Sequence, residues 1–216
     1  MNSPAHSAPA EQEGPPARRG PRGDISRERI LRAADALLRE RGSLDGIALR
    51  AVAAQVGVAA NAIYTYFPSL RAIWHDLGDE RLGALHPADL VDLPCRHCAL
   101  TLLSERAREM AEIPGTLSLL RAQPILGPHS FRLSETIMTL TADAVVDPRD
   151  AHDLIVGWFY GSSVLSAEGW TRGTDRIRAD ADLADFPRIA ARAEPRPAAQ
   201  WEAILRGLGI ACARGA

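Results

Sequence analysis

Apolar positions recur at helical spacing along nearly the whole chain, and no segment shows a convincing strand-like alternation. Ile30, Leu31, Ala34, Leu37 and Leu38 form one apolar face of a first helix. Ser26 stands at its N-cap with Glu28 in the first turn, and Gly42 after "RER" is its stop signal. The pattern predicts a second helix over about Leu49–Val56, ended by Gly57. A very short third covers about Ala60–Tyr66 and is broken by Pro68. Ser69 opens a fourth, running to Leu85, with Leu70, Ile73, Trp74 and Leu77 as its stripe. Further helices are predicted near Arg96–Ala111, Gly115–Ala122, His129–Val145, Pro148–Trp170 and Pro197–Cys212. The stretches "GPHS", "VVDP" and "RGTD" separate them.

Two regions fall outside this pattern. Residues 1–23 are rich in Pro, Ala, Gly and Ser and read as a disordered arm. Its end carries Arg18, Arg19 and Arg22, which suit either a basic arm reaching DNA or a solubilising tail. Residues 171–196 are charged and Pro/Ala-rich and read as a partly mobile connection.

The most informative stretch is "VAAQVGVAANAIYTYF", Val52–Phe67. Ala53 is small where a second helix must cross closely, and Gly57 supplies the left-handed turn between two helices. Val52, Val56, Val58 and Ile63 are the contacts that would lock the pair at a fixed angle. The spacing is that of a helix-turn-helix. The exposed face of the short helix is then Ala60, Asn61, Tyr64 and Thr65. Asn61 can pair with adenine or donate to a phosphate, and Thr65 suits a phosphate or a thymine methyl. Tyr64 is assigned to a phosphate, whereas Tyr66 fits either the DNA face or the core. Arg50 and Arg71 complete the candidate DNA-binding set.

Charge modifies this picture in one respect. The net charge is -2, which alone argues mildly against nucleic acid. Yet residues 1–71 hold 10 Arg against 7 Asp+Glu, net +3, and residues 72–216 hold 15 against 20, net -5. The positive field lies at the end carrying the short helix. Every basic residue is arginine, which carries no functional signal by itself. Apolar residues at 46% and charged residues at 24% are ordinary for a soluble globular protein. With no membrane-length apolar run and no signal-peptide pattern, the expectation is a cytoplasmic protein without a membrane partner.

The segments "RERILRAADALLRERG" and "ALRAVAAQVGVAANAIYTYFPSLRAIW" resemble the N-terminal domain of TetR/AcrR-type transcriptional repressors, over about Asp24–Leu85. More weakly, "LLRAQPILGPHSFRLSETIMTLTADAVVDPRDAHDLIVGWFYG" is similar to the tetracycline-repressor class of C-terminal domain. The resemblance implies an all-α protein of two domains, 24–85 and 86–216. In it, a three-helix DNA-binding domain is joined by a connecting helix to a ligand-binding and dimerisation domain. It also implies a homodimer and a small inducer in a central cavity. The chain departs from the family at Ala59 and at Ile47–Ala48, where Ser or Thr usually caps the helices. A lost cap costs about 1 kcal/mol. It departs again at Leu70, where lysine is frequent and where the neighbouring Arg71 would supply the charge.

Other chemistry is sparse. "CRHC", Cys95–Cys98, invites a metal reading, but a tetrahedral site needs a fourth ligand and no second cluster is evident. Packing cysteines with an incidental histidine is the reading adopted, with no metal and no cofactor expected. The histidines lie in separate segments, and neither a phosphate loop nor a nucleophile elbow is present, so no enzyme is expected. "GWFYGSS" places Gly157 and Gly161 four apart, a flat strip for another helix; its aromatics Trp158 and Phe159 suit a cavity wall or ordinary core. "QPILGPHSF" is a broken joint of the kind that rims pockets. The ligand-contact candidates are His97, Gln123, His129, Phe131, Trp158 and Ser162.

The expected function is a homodimeric repressor released from a palindromic DNA operator by a small molecule. The alternatives are a DNA-binding protein or activator without a ligand, and a helical enzyme or carrier with a relic helix-turn-helix.

Overall fold

The structure is a computed structural model in which residues 25–166, 185–190 and 196–212 are described. The arm at 1–23 with its three arginines, and most of the connection expected over 171–196, lie outside the described residues. Those described are helical, with no strand among them.

Local capping sets the first elements. In α1 (Arg27–Arg41) the Ser26 hydroxyl accepts the Arg29 amide at 3.2 Å, and Gly42, at φ +70°, returns its N–H to the Leu38 carbonyl. In α2 (Leu49–Val56) Gly57, at φ +82°, ends the helix, so its freedom to turn left-handed sets the next helix's direction. Neither α2 nor α3 (Ala60–Ile63) has a side-chain cap, because Ala48 and Ala59 hold those positions. Regular helix in α3 stops three residues earlier than expected. Tyr64 and Tyr66 instead close three-residue turns on the Asn61 and Ile63 carbonyls. Ser69 caps α4 (Leu70–Gly83) through the Ala72 amide at 3.1 Å.

A short 3-10 turn, Pro87–Leu90, leads to α5 (Arg96–Glu112), α6 (Thr116–Ala122), α7 (Pro128–Leu140) and α8 (Pro148–Ser166). Beyond them lie α9 (Pro187–Ala190) and α10 (Pro197–Gly207). Helix α7 stops at Leu140 rather than near Val145. The Thr141 hydroxyl turns back onto the Ile137 carbonyl, and the Val145 amide is drawn off to the Leu208 carbonyl. The far end expected for α8, Trp170, lies outside the described residues.

Two cores result, and α4 belongs to both. Ile30, Leu38, Val52, Val56, Ile63 and Phe67 pack with Ile73, Trp74 and Leu77 of α4 in the first. Leu82 and Leu85, from α4 and just beyond it, pack with α5, α7, α8 and α10 in the second. One residue crosses over: Leu119 of α6 is fully buried in the first core. No described helix is long and apolar enough to cross a membrane.

Candidate DNA interface and ligand cavity

Ile63 and Phe67, both buried, fix the phase of the short third helix. Asn61, Tyr64 and Thr65 therefore turn outward, and Tyr64 is 58% exposed despite its large ring. Ala60 is half-buried beside them, and Arg50 is exposed on α2. Tyr66 is half-buried against the first core, so it packs more than it projects. Two arginines of α1 brace this unit. Arg29 donates to the Val56 carbonyl at 2.9 Å, and Arg27 lies over the Phe67 ring, 4.1 Å from its centroid, while bonding the Tyr66 carbonyl and Asp76. Such bracing compensates in part for the two absent caps.

Arg71 is exposed, but it does not stand alone on the DNA side. Its Nε donates to the Gln123 Oε1, and Gln123 returns its Nε2 to the Arg71 carbonyl at 2.9 Å. A residue assigned to DNA and one assigned to ligand thus form a single clamp between α4 and the segment after α6. Three further clamps lie along α4. His75 Nε2 accepts the Leu126 amide at 3.0 Å. The buried Asp79 carboxylate accepts the His129 and Ser130 amides at 3.2 and 2.8 Å, acting from outside as the cap of α7. Buried Arg81 bonds Asp35 of α1 and Thr116 of α6. Gly78 completes the contact, because a Cβ there would lie 2.7 Å from the Ile125 Cδ1. Arg71, His75 and Asp79 are spaced by four on one face of α4, a polar stripe present in the sequence.

Asp35 is the charged pivot of this network. Burial pushes its carboxyl up, but hydrogen bonds and charge from Arg81 and Arg39 outweigh that and hold it below the ordinary aspartate value.

The second core surrounds a partly open cavity of about 170 Å³. Its walls are one face from each of three helices: Leu103, Ser104, Ala107 and Met110 on α5; Ser130, Leu133, Ser134 and Ile137 on α7; His152, Ile155, Val156 and Phe159 on α8. Leu82, Leu85 and Ile125 close the side facing α4, and Trp158, Tyr160 and Trp201 add aromatic surface. The Trp158 and Trp201 rings are 4.9 Å apart. Polar groups are few. His152 Nε2 meets the Ser134 hydroxyl at 3.1 Å, and burial pushes the Tyr160 phenol above its usual value. The Trp201 indole N–H is buried without an acceptor among the described residues.

Of the six ligand candidates, only Trp158 lines this cavity. Gln123 is taken by Arg71, and the partly buried His97 pairs with Glu202 at 3.1 Å. His129 sits against Gly83, where a Cβ would meet its Nδ1 at 2.6 Å. Phe131 is 60% exposed, and the Ser162 hydroxyl bonds the Phe159 carbonyl one turn back. The reason is helical phase. The hollow faces the stripes of α5, α7 and α8 that begin at Leu103, Ser130 and His152, and the other five residues lie off them.

Comparison with known proteins agrees with this geometry. Residues 30–76 match the model of the bacterial regulatory proteins of the tetR family. The chain is similar to the HTH-type transcriptional repressor DrrR1 of Streptomyces coeruleorubidus, 29% identical over 150 residues. That match covers 67% of this chain but 55% of the relative, so the chain spans about half the relative's length. Among solved structures, a possible TetR family transcriptional regulator of Streptomyces coelicolor A3(2) superposes with a TM-score of 0.69 at 18% identity. It covers 85% of this chain and 96% of that one. ActR from Streptomyces coelicolor, in complex with (S)-DNPA, gives 0.69 at 16% identity, over 88% of this chain and 100% of its own. ActR with actinorhodin gives 0.67 at 15% identity, over 86% and 97%.

Proposed function

We propose that this chain, a member of the tetR family, is a transcriptional repressor that binds a palindromic DNA operator as a homodimer and leaves it when a small molecule fills the cavity. The observation that carries the reading is the double membership of α4. Its first half is built into the core that supports Asn61, Tyr64 and Thr65, and its end supplies Leu82 to the cavity wall. The domains divide at about residue 85, with DNA binding before it and ligand binding and dimerisation after. The relatives found are regulators, which leaves the enzyme reading without support. A ligand-free activator would suit a closed apolar core, and the cavity argues against it.

The ligand class follows from the walls. A cavity of about 150 Å³ holds a single benzene-sized ring, so this one accepts an aromatic ring without rearrangement. Four aromatic side chains would stack on it. The Trp201 N–H would gain an acceptor, relieving a buried donor worth about 1–3 kcal/mol. By analogy with the ligand-bound ActR structures, (S)-DNPA is a reasonable first probe.

At the DNA face, Tyr64→Phe removes one hydroxyl. Operator affinity should fall about fivefold, or ~1 kcal/mol, equally for every sequence, if that hydroxyl bonds phosphate. Asn61→Ala should instead relax base preference at one position in each half-site. Fluorescence anisotropy on palindromic probes with half-sites about one turn or slightly more apart reads both effects. Wild-type affinity for both variants, or binding insensitive to salt, would remove this face from the DNA contact.

The dimer face is placed on α8 and α10. An added Cβ at Gly157 or Gly161 meets nothing, and Leu154 is 55% exposed beside a groove shared with Val146, Ile204 and Gly207. The α10 contribution is narrow. Trp201, Leu205 and Leu208 are buried within their own subunit, leaving Ile204 and Gly207 to face a partner. Gly161→Leu should shift the monomer–dimer equilibrium toward monomer by at least about tenfold, ~1.4 kcal/mol. Sedimentation equilibrium tests it, and a wild-type monomer at micromolar concentration would defeat the assignment.

A further inference from the structure

Two of the three cysteines sit at the start of α5, and the third is Cys212, 117 residues away from Cys95 in sequence. Folding brings all three together. The Cys212 Sγ lies 3.9 Å from the Cys95 Sγ and 3.9 Å from the Cys98 Sγ, and all three sulfurs lie within 4.8 Å of one another. The chain is held there by backbone bonds, from the Val145 amide to Leu208 and from the Ile210 amide to Leu205. Cys212 is therefore positioned by the fold on its approach to α5. No disulfide joins the three.

We propose that Cys95, Cys98 and Cys212 form a binding site for a thiophilic cation of the zinc class, which ties the C-terminal segment to the start of α5. Zinc bound tetrahedrally by thiolates at about 2.3 Å requires sulfurs about 3.8 Å apart. Two of the three separations are already within about 0.1 Å of that value. The remaining pair, held by the N-cap contact of the Cys98 amide with the Cys95 Sγ at 3.2 Å, needs only side-chain rotation to close. Each thiol gives up its proton to solvent, three protons for each divalent cation, leaving a tris-thiolate complex of net charge −1. The N-terminus of the seventeen-residue α5 favours that charge. Water or a small anion takes the fourth position, as at zinc sites with three protein ligands.

His97 is not a ligand here. Its ring pairs with Glu202 at 3.1 Å, and the third sulfur comes instead from Cys212.

The test uses the full chain, purified reduced and stripped of metal. Titration with Zn²⁺ should show one equivalent per chain and protect three thiols from a thiol reagent. Co²⁺ should give thiolate charge-transfer absorption. Cys95→Ser preserves an N-cap oxygen for α5, so it should fold normally, as circular dichroism would show. It and Cys212→Ser should each weaken binding by more than the ~10–100-fold typical of outer-shell changes. His97→Ala should bind like the wild type. The proposal fails if the wild type takes up no stoichiometric zinc, if the Cys variants bind unchanged, or if His97→Ala abolishes binding. It also fails if mild oxidation makes a disulfide within the cluster as readily with zinc present as without it.

Discussion

Asp35→Ala is expected to cost about 3 kcal/mol of folding stability, because it leaves the Arg81 guanidinium buried without its counter-charge. The figure is set at the low end of the ~3–5 kcal/mol for breaking buried pairs because Asp35 keeps some solvent contact. Arg81 is 6% exposed, its Nε has no partner among the described residues, and Thr116 alone cannot balance a positive charge. Arg39→Ala removes the other, half-exposed partner of Asp35 and should cost under ~1 kcal/mol. Urea denaturation separates the two. Equal losses would mean that the Arg81 pair is no more than a surface contact. The pH dependence gives a second reading. A carboxylate with a depressed folded pKa stabilises fully above the ordinary aspartate value of the unfolded chain, and that contribution disappears as pH falls through the lower, folded value. Wild type should therefore lose stability in acid more steeply than Asp35→Ala does.

Neither Asp35 nor Arg81 could be paired from the sequence, because their partnership crosses 46 residues and two helices. The local devices could be read. Ser26, Gly42, Gly57 and Ser69 act within one turn of their own position, and all four cap or end helices as their chemistry requires. The outward turn of Asn61, Tyr64 and Thr65 was legible for the same reason, since Ile63 and Phe67 set the phase of so short a helix. The end of α7 was not, because "TADAVV" remains compatible with helix until Leu208 competes for the Val145 amide. The cavity was hidden by abundance. Helices α5, α7 and α8 each carry more than one apolar stripe, and only their mutual packing decides which stripe borders the hollow. Cys212 illustrates the same limit, since spacing within "CRHC" says nothing about a residue arriving from the other end of the domain.

Near-complete release from an operator requires a ligand to favour the released arrangement by about 5 kcal/mol, and the structure offers a direct route for that energy. Ligand in the cavity would press on Leu82, Leu85 and Ile125, and Ile125 abuts α4 at Gly78. The wall residues Ser130, Leu133 and Ser134 belong to α7, whose first amides are held by Asp79 of α4. A shift of α7 therefore moves α4, and α4 carries Ile73 and Trp74 in the core beneath the DNA face. Two substitutions separate the cavity from the linkage, once thermal-shift screening of small aromatic compounds has supplied a ligand. Ala107→Phe should fill the hollow at a packing cost of about 1–3 kcal/mol, keep operator binding, and lose ligand binding. Asp79→Asn keeps the shape but leaves one α7 amide a neutral acceptor and sets an NH2 group, itself a donor, against the other. It should bind ligand and operator separately within a few-fold of wild type. The coupling between the two, measured as the ratio of operator affinities with and without ligand, should shrink at least about tenfold, ~1.4 kcal/mol. Linkage demands that ligand affinity measured with and without operator change by the same factor, which provides an internal check. Full coupling in Asp79→Asn would show that the signal passes through the apolar contacts of Leu82 and Leu85 alone. Undiminished ligand binding in Ala107→Phe would place the ligand outside this cavity altogether.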